Sequence, residues 1–572
     1  MKERIKNLIR DALKNLEIEW DSEFVVEHPE NFNNGDYSTN VALACSKQLE
    51  KTPRDLAVKI VEELLKNKIK EIEKIEIAGP GFINFYLSRE FFTYSVKEIL
   101  KQKENWGKEK TLLGKKVMIE YTQPNPFKPF HIGHLMSNAI GESISRIVEF
   151  SGAEVIRANY QGDVGPHVAK AIYGLKKFGL PDTKKTIAEK ARFIGEIYVK
   201  GNDAYENDEN AKKEIDIINK KIYDKTDDEI NKIYNWGRKI TLEAFEEIYK
   251  LLGTKFDKYY FESEMAEIGK KIVEKNIGNI FEESDGAIVF HGEKYDPKLH
   301  TRVFVNSQQL PTYEAKELGL TLTKFKKNLF GKKLDLSIVT TASEQAEYMR
   351  VVQKAISIMH PDLEKRMKHI THGMMRLADG KMSSRKGNIV TGESLLNDSL
   401  NMIREKISKR EFSDIEKENI AEIVGVSSLK YSILKSSIGS DIIFDFEKSI
   451  SFEGDSGPYL QYTAVRANSI IQKSKEFNLK NGKEIPKEIT DLEKMLYQFV
   501  EIVNRSYKEF APHYIATYLV ELASAFNTFY GNTKILENDN KYIIYHLELV
   551  KSFYQTMKNG LWLLGIKTPE KM

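Results

Sequence analysis

Two imidazoles and one run of cations are the residues best suited, by type and spacing, to handle a phosphate. His131 and His134 stand either side of Gly133, and Lys381, Ser383, Arg385 and Lys386 lie between Gly380 and Gly387. Imidazole N–H and lysine ammonium groups stabilise the charge that builds on phosphate oxygens when a phosphoanhydride reacts. The elements around them favour that chemistry. An apolar run, Val117 to Ile119, leads to Pro124, Pro126 and Pro129, and from Gly133 the residues Ile140, Ile144 and Ile147 keep a helical period. This reads as strand, stiff loop, helix, with both histidines where the helix begins. A helix start offers unpaired N–H groups and the positive end of its dipole to an anion. The prolines are expected to hold the approach extended and so aim the histidines in advance. The glycine-bracketed cations suit a mobile loop that closes over phosphates. Taken singly, each feature has a plainer alternative: histidines that cap a helix, and a solvated basic loop.

Composition narrows the class. With 572 residues, 41% of them hydrophobic and 30% charged, the chain has material for several globular cores. Lys plus Arg at 87 against Asp plus Glu at 84 leaves +3, too little to argue for nucleic acid, so any basic surface is local. The single cysteine, Cys45, excludes intrachain disulfides and a Cys-rich zinc site, and no protein metal site is expected. The opening stretch, Met1 to Leu16, is amphipathic, but Glu3 and Asp11 make it a poor presequence. No long apolar run follows. A cytoplasmic protein without a membrane span is expected.

In chain order, residues 1–88 read as a small α+β unit with two paired strands, Ile75 to Ile77 and Phe82 to Leu87, and with Gly35 to Asn40 as a turn-and-cap cluster. Residues 89–115 form a linking helix and polar link. From 116 to 387 the βαβ pattern predicts a doubly wound, Rossmann-type α/β domain, whose ligands gather at the carboxyl ends of its strands. Long charged helices at about 164–261 read as an insertion. Asp163 ends the second strand and is a third candidate there, though turn formation explains it equally well. Tyr313 and Glu317, four apart, share a helix face. Residues 388–445 connect to an all-helical region, 446–572. There Tyr459, Tyr462 and Arg466 could stack on and pair with nucleotides, although aromatic stripes on helices more often serve the core.

With those residues in place, the chain resembles the class I aminoacyl-tRNA synthetases. His131-Ile132-Gly133-His134 matches their HIGH motif, and Lys381-Met382-Ser383-Ser384-Arg385 stands where their KMSKS loop should be. More narrowly it is similar, over its whole length, to the arginyl-tRNA synthetase family. The carrying stretches are Gly35-Asp36-Tyr37-Ser38, Gly79 to Asn84, Pro124 to Pro129, Pro458 to Tyr462 and Leu564-Gly565-Ile566. The resemblance implies a tRNA-elbow-binding unit at 1–88, a stem-contacting region at 388–445 and an anticodon-binding domain at 446–572.

It also implies arginine, ATP with Mg2+, and tRNA(Arg) as partners, in a chain expected to be a monomer. ATP would be held by Lys128, His131, Gly133, His134, Lys381, Met382 and Ser383, with His131, His134, Lys381 and Lys386 catalytic. Arginine would be held by Glu120, Asn125, Tyr313, Glu317 and Gln345: a guanidinium calls for charged, planar acceptors, which Glu120 and Glu317 supply. The tRNA would meet Tyr459, Gln461, Tyr462 and Arg466. Two positions depart from the pattern. Ser384 replaces the second lysine of KMSKS, a role left to Lys386 or Lys128, and Glu317 stands where Asp is usual. Rival readings are a synthetase for another amino acid, a small nucleotidylyltransferase, and a catalytically silent tRNA-binding relative.

Overall fold

The structure is a computed structural model that describes residues 1–20, 22–50, 52–66, 69–326, 331, 333–378, 391–477, 482–537 and 539–572. The chain forms two compact units. One comprises Met1–Trp106, Thr463–Glu501 and Val520–Asn559, and the other Gly107–Tyr462, Ile502–Leu519 and Gly560–Met572.

In the larger unit five strands build a wholly parallel sheet: β1 (Lys116–Glu120), β2 (Glu154–Gln161), β3 (Lys258–Phe261), β4 (Leu336–Ala342) and β5 (Met367–His372), in the order β5-β4-β1-β2-β3. Every residue of β1 is buried, as expected of a central strand covered on both faces. Helix α1 (Ile132–Phe150) crosses from β1 to β2, and between β2 and β3 run four helices, α2 (Pro166–Phe178), α3 (Ile187–Asn207), α4 (Glu209–Asp224) and α5 (Asp228–Leu252). These four have their own core, including Ile172, Ile194, Ile197, Ile215 and Ile218. They end by design of their caps: Asp208 and Asp227 accept from the first N–H groups of α4 and α5, and Gly253 terminates α5 in the left-handed region. Helix α6 (Glu262–Lys275) follows β3. A three-stranded antiparallel sheet (Glu282–Ser284, Ala287–His291, Thr301–Val305) and helix α7 (Tyr313–Lys324) then precede β4, and helix α8 (Ala346–Met359) joins β4 to β5. The strand order reverses at β1, with β4 on one side and β2 on the other, which makes the carboxyl ends of β1 and β4 the place for a ligand.

The smaller unit holds a four-stranded antiparallel sheet over three helices, packed on Ile5, Ile9, Leu56, Ile60, Ile83 and Phe85. Tyr37–Thr39, read from sequence as part of a turn-and-cap cluster, is a strand paired with Phe82–Leu87. Its Tyr37 hydroxyl donates to Glu501 at 2.5 Å, and Arg89 pairs with Glu493 beside Tyr545 in the same unit. Among the described residues no helix is long and apolar enough to cross a membrane.

Candidate active site

Strain is concentrated where β1 ends. Thr122, Gln123 and Phe127 have φ of 77°, 51° and 68°, a region that β-branched and bulky side chains rarely enter. The approach is therefore not the extended segment that its prolines suggested. Side chains from α1 hold it in place: the Thr122 N–H donates to Ser137 Oγ at 2.9 Å, and Asn138 Nδ2 donates to Thr122 Oγ1 at 3.0 Å. Gln123 Nε2 donates to Glu120 Oε1 at 2.7 Å. One turn on, Gly141 lets α1 lie against β1, since a Cβ there would fall 2.2 Å from Tyr121 Cβ. The helix that carries the histidines thus also fixes the loop that presents them.

His131 precedes α1 in extended conformation, and the two rings stack with centroids 3.4 Å apart. The His131 backbone N–H donates to His134 Nδ1 at 3.2 Å, so His134 carries its proton on Nε2. Burial, with His131 and Lys128 adding repulsion, holds His134 well below the usual imidazole range, and desolvation followed by Lys128 lowers His131 to about 4. At neutral pH both are uncharged N–H donors. His131 lies at the exposed mouth and His134 is buried. Lys128 is half-buried, its ammonium 5.3 Å from the Tyr198 ring centroid. Thr391 bridges to His131, and the Gly392 N–H donates to the Phe130 carbonyl at 2.8 Å. The expected loop residues Lys381, Met382, Ser383 and Lys386 lie outside the described residues.

Beside the histidines is a buried charge cluster. Glu120 (0% exposed) ends β1 and forms an ion pair with Lys324 (1% exposed), the last residue of α7. Glu317 is buried on the same helix and accepts from Thr321 Oγ1 at 3.3 Å. Its carboxyl is pushed up to about 7, by burial first, with Lys324 pulling down and Glu120 pushing up. Glu262, immediately after β3, pairs with Lys316 at 2.7 Å, both buried. Asn125 Oδ1 accepts from the Gly162 N–H at 3.1 Å, which sets the amide's orientation. The Tyr160 hydroxyl, buried against these carboxylates, makes no hydrogen bond to a described residue.

The structure therefore brings together Glu120, Asn125, His131, His134 and Glu317 at the strand ends. Tyr313 is 57% exposed at the start of α7, with the Lys316 ammonium 5.1 Å from its ring centroid. Gln345 is exposed at the end of β4 and accepts from the Tyr348 hydroxyl at 3.1 Å. Asp163 has a structural part. Its carboxylate accepts from Arg238 Nε (2.8 Å), the Tyr234 hydroxyl (3.1 Å), Ser263 Oγ (2.8 Å) and the Ser263 N–H (2.9 Å), tying the end of β2 to α5 and α6.

Glu262, Lys316, Lys324 and Tyr160 were missed in the sequence. Glu262 had a usable signal, a carboxylate directly after a strand like Glu120, but Lys258–Phe261 is hidden among long charged helices. A lysine on a helix reads as solvated unless its neighbours are known.

Gln461 does not face a ligand: it is fully buried, and its Nε2 donates to the Lys567 carbonyl at 2.7 Å. It belongs to a set of donors on the carboxyl-terminal segment, with Ser143 Oγ on the Leu563 carbonyl (2.8 Å) and Lys430 Nζ on that of Gly565 (2.8 Å). Tyr459 and Tyr462 are half-buried, and Arg466 donates to Asn527 Oδ1 at 2.7 Å.

Comparison with known proteins finds relatives along the whole chain. Family models described as tRNA synthetases class I (R), catalytic domain, as DALR anticodon binding domain, and as arginyl tRNA synthetase N terminal domain match residues 95–446, 460–572 and 3–87. The arginine--tRNA ligase of Fusobacterium nucleatum is 34% identical over 96% of this chain and 95% of that protein. That of Clostridium perfringens is 32% identical over 100% and 99%. In fold the chain is similar to the arginyl-tRNA synthetase of Thermus thermophilus, with a TM-score of 0.81 at 24% identity over all of both chains. The chain belongs to the class I arginyl-tRNA synthetases, the arginine–tRNA ligases.

Proposed function

We propose that the cluster at the ends of β1 and β3 and on α7 is the arginine pocket of a two-step aminoacylation. The arginine carboxylate attacks the α-phosphorus of ATP to give arginyl-adenylate and diphosphate. The 2′-hydroxyl of the terminal tRNA adenosine then takes the arginyl group and AMP leaves. The observation that supports this reading is the buried carboxylate pair of Glu317 and Glu120, the latter ending the strand that leads into a helix start with two neutral imidazoles. Glu317 takes the guanidinium, Glu120 stands beside it, and Tyr313 closes the mouth. Asn125 and Gln345 meet the α-amino group. His131 and His134 donate N–H groups to the α-phosphate, where charge grows in the transition state, while Lys128 and the lysines Lys381 and Lys386 attract the outer phosphates. Magnesium enters on ATP and neutralises triphosphate charge; the donors at this helix start are imidazoles and an ammonium, which suit phosphate oxygen.

Tyr459, Tyr462 and Arg466 are proposed tRNA contacts, in a domain arrangement of 1–88, 89–115, 116–387, 388–445 and 446–572. The enzyme is proposed to act as a cytoplasmic monomer, and to form the adenylate only with tRNA present. The test is charging: purified enzyme, Mg-ATP, bulk tRNA and each labelled amino acid in turn. Acid-precipitable label from arginine alone is expected. Label from another amino acid would overturn the assignment of Glu317, and ATP–diphosphate exchange at full rate without tRNA would overturn the tRNA requirement.

A further inference from the structure

The pocket's buried charges do not cancel. Glu120, Glu262 and Glu317 are 0%, 6% and 5% exposed, and Lys316 and Lys324 are 4% and 1% exposed. Lys316 pairs with Glu262 and Lys324 with Glu120, and among the described residues Glu317 has no ion pair of its own, only the longer-range pull of Lys324. An uncompensated buried carboxylate is costly, so the cluster has room for one further positive charge.

The helix places these groups in line. Tyr313, Glu317 and Lys324 fall on one face of α7, at steps of four and seven residues, so a ligand entering past Tyr313 meets Glu317 first and Lys324 about two turns deeper. At that deep end Gln123 Nε2 donates to Glu120 Oε1, and the Lys324 ammonium is ion-paired with Oε2. Lys324 Nζ has no other polar partner among the described residues. Lys324 acts on Glu317 as well as on Glu120, and the groups that face these two carboxylates are Tyr160 on β2, Tyr260 on β3, Glu262 on α6 and Tyr348 on α8.

We propose that Lys324 is a specificity-determining residue: a resident ammonium that occupies the Glu120 half of the carboxylate pair and leaves the pocket to be neutralised by one ligand cation, seated at Glu317. This rests on the assignment of the cluster as the arginine pocket and changes the part of Glu120 within it. Glu120 holds the resident cation, and the guanidinium sees its charge already spent. A ligand without a cation leaves Glu317 unpaired; a ligand with two brings one more than the pocket can match.

The direct test on the unaltered enzyme is calorimetry of arginine binding, with tRNA present, in buffers of different ionisation enthalpy at pH 8.5. Because one guanidinium completes the balance, proton uptake close to zero is expected; uptake of a whole proton would refute the proposal. Variants give a second reading through the pH profile of KM for arginine. K324M strands Glu120, so KM is expected to rise by at least about tenfold at pH 8.5. The ratio to the parent should shrink toward pH 6, where a proton replaces the lost ammonium. A packing role alone would give a ratio independent of pH. The double variant E120Q/K324M removes the pair together and should return KM toward the parental value. E317Q separates the two readings. If it leaves KM unchanged, the pocket assignment itself fails. If E317Q raises KM while E120Q/K324M is no better than K324M, the pocket stands and the charge-balance proposal falls.

Discussion

Replacing Asp163 by Asn tests whether one buried carboxylate ties α5 and the start of α6, where Glu262 of the proposed arginine pocket stands, to the end of β2. In the structure four donors converge on it: Arg238 Nε, the Tyr234 hydroxyl, Ser263 Oγ and the Ser263 N–H. Asn offers one acceptor oxygen and one NH2. Turned either way, it sets its NH2 against a fixed donor, the Ser263 N–H on one side or Arg238 Nε on the other, while the two hydroxyls can turn to accept. The Asp163 side chain is 0% exposed and that of Arg238 is 27% exposed, so the stranded guanidinium recovers some hydration from water. Breaking a buried pair by removing one partner costs about 3–5 kcal/mol, and the lower end, about 3 kcal/mol, fits this partly open arginine. In a multidomain chain a global unfolding midpoint would blur such a loss. Hydrogen exchange resolves it, because amides of α5 near Tyr234 and Arg238 should lose protection by roughly a hundredfold if they open locally. Ser263 follows Glu262, so KM for arginine should rise as well. Amide protection within about threefold of the parent, together with an unchanged KM, would refute the reasoning.

Three further outcomes follow from the geometry. H134A should lower kcat by roughly 10²–10³ in charging while KM for arginine stays within a few-fold, since its N–H acts chiefly on transition-state charge; equal losses in both would exclude that role. G141A places a Cβ 2.2 Å from Tyr121 Cβ, where no flexible side-chain end can yield, and should cost at least about 3 kcal/mol by overpacking. Unchanged hydrogen-exchange protection of α1 and β1 would show that α1 sits farther from β1. Stability should also fall as pH drops from 6.5 toward 4. His167 (pKa about 3) and His369 (about 4) are held down in the folded chain, first by burial, so the unfolded chain takes up protons earlier. Hydrogen-exchange protection around His167 and His369 that stays flat across that interval, once intrinsic rates are allowed for, would contradict these shifts.

Much of the fold was legible in the sequence because it is written in local periodicity. The strand before His131, the helix after it, the four long helices and the helix of Tyr313 and Glu317 all carry patterns that burial on one face enforces. The motifs around His131 and Lys381 made the family legible too, and with it the proposal that donors at a helix start and in a glycine-bracketed loop act on phosphate. Sequence could not mark Lys258–Phe261, a four-residue strand without alternation, or the positive-φ residues Thr122, Gln123 and Phe127, the first of which hydrogen bonds from α1 hold in place.

What the sequence by itself determined is the class of the enzyme, and with it the expectation of imidazoles for phosphate and carboxylates for a cation. What the tertiary structure alone decided is how those charges are matched. Lys324 reaches Glu120 across more than two hundred residues of chain, and Lys316 reaches Glu262 across 54. Residue types give the charges, but a charge's free energy depends on its burial and on what stands opposite it, and both are fixed only when distant elements pack. The same reason separates Gln461 from its neighbours: the helix that carries it was readable, and the buried carbonyl it meets was not.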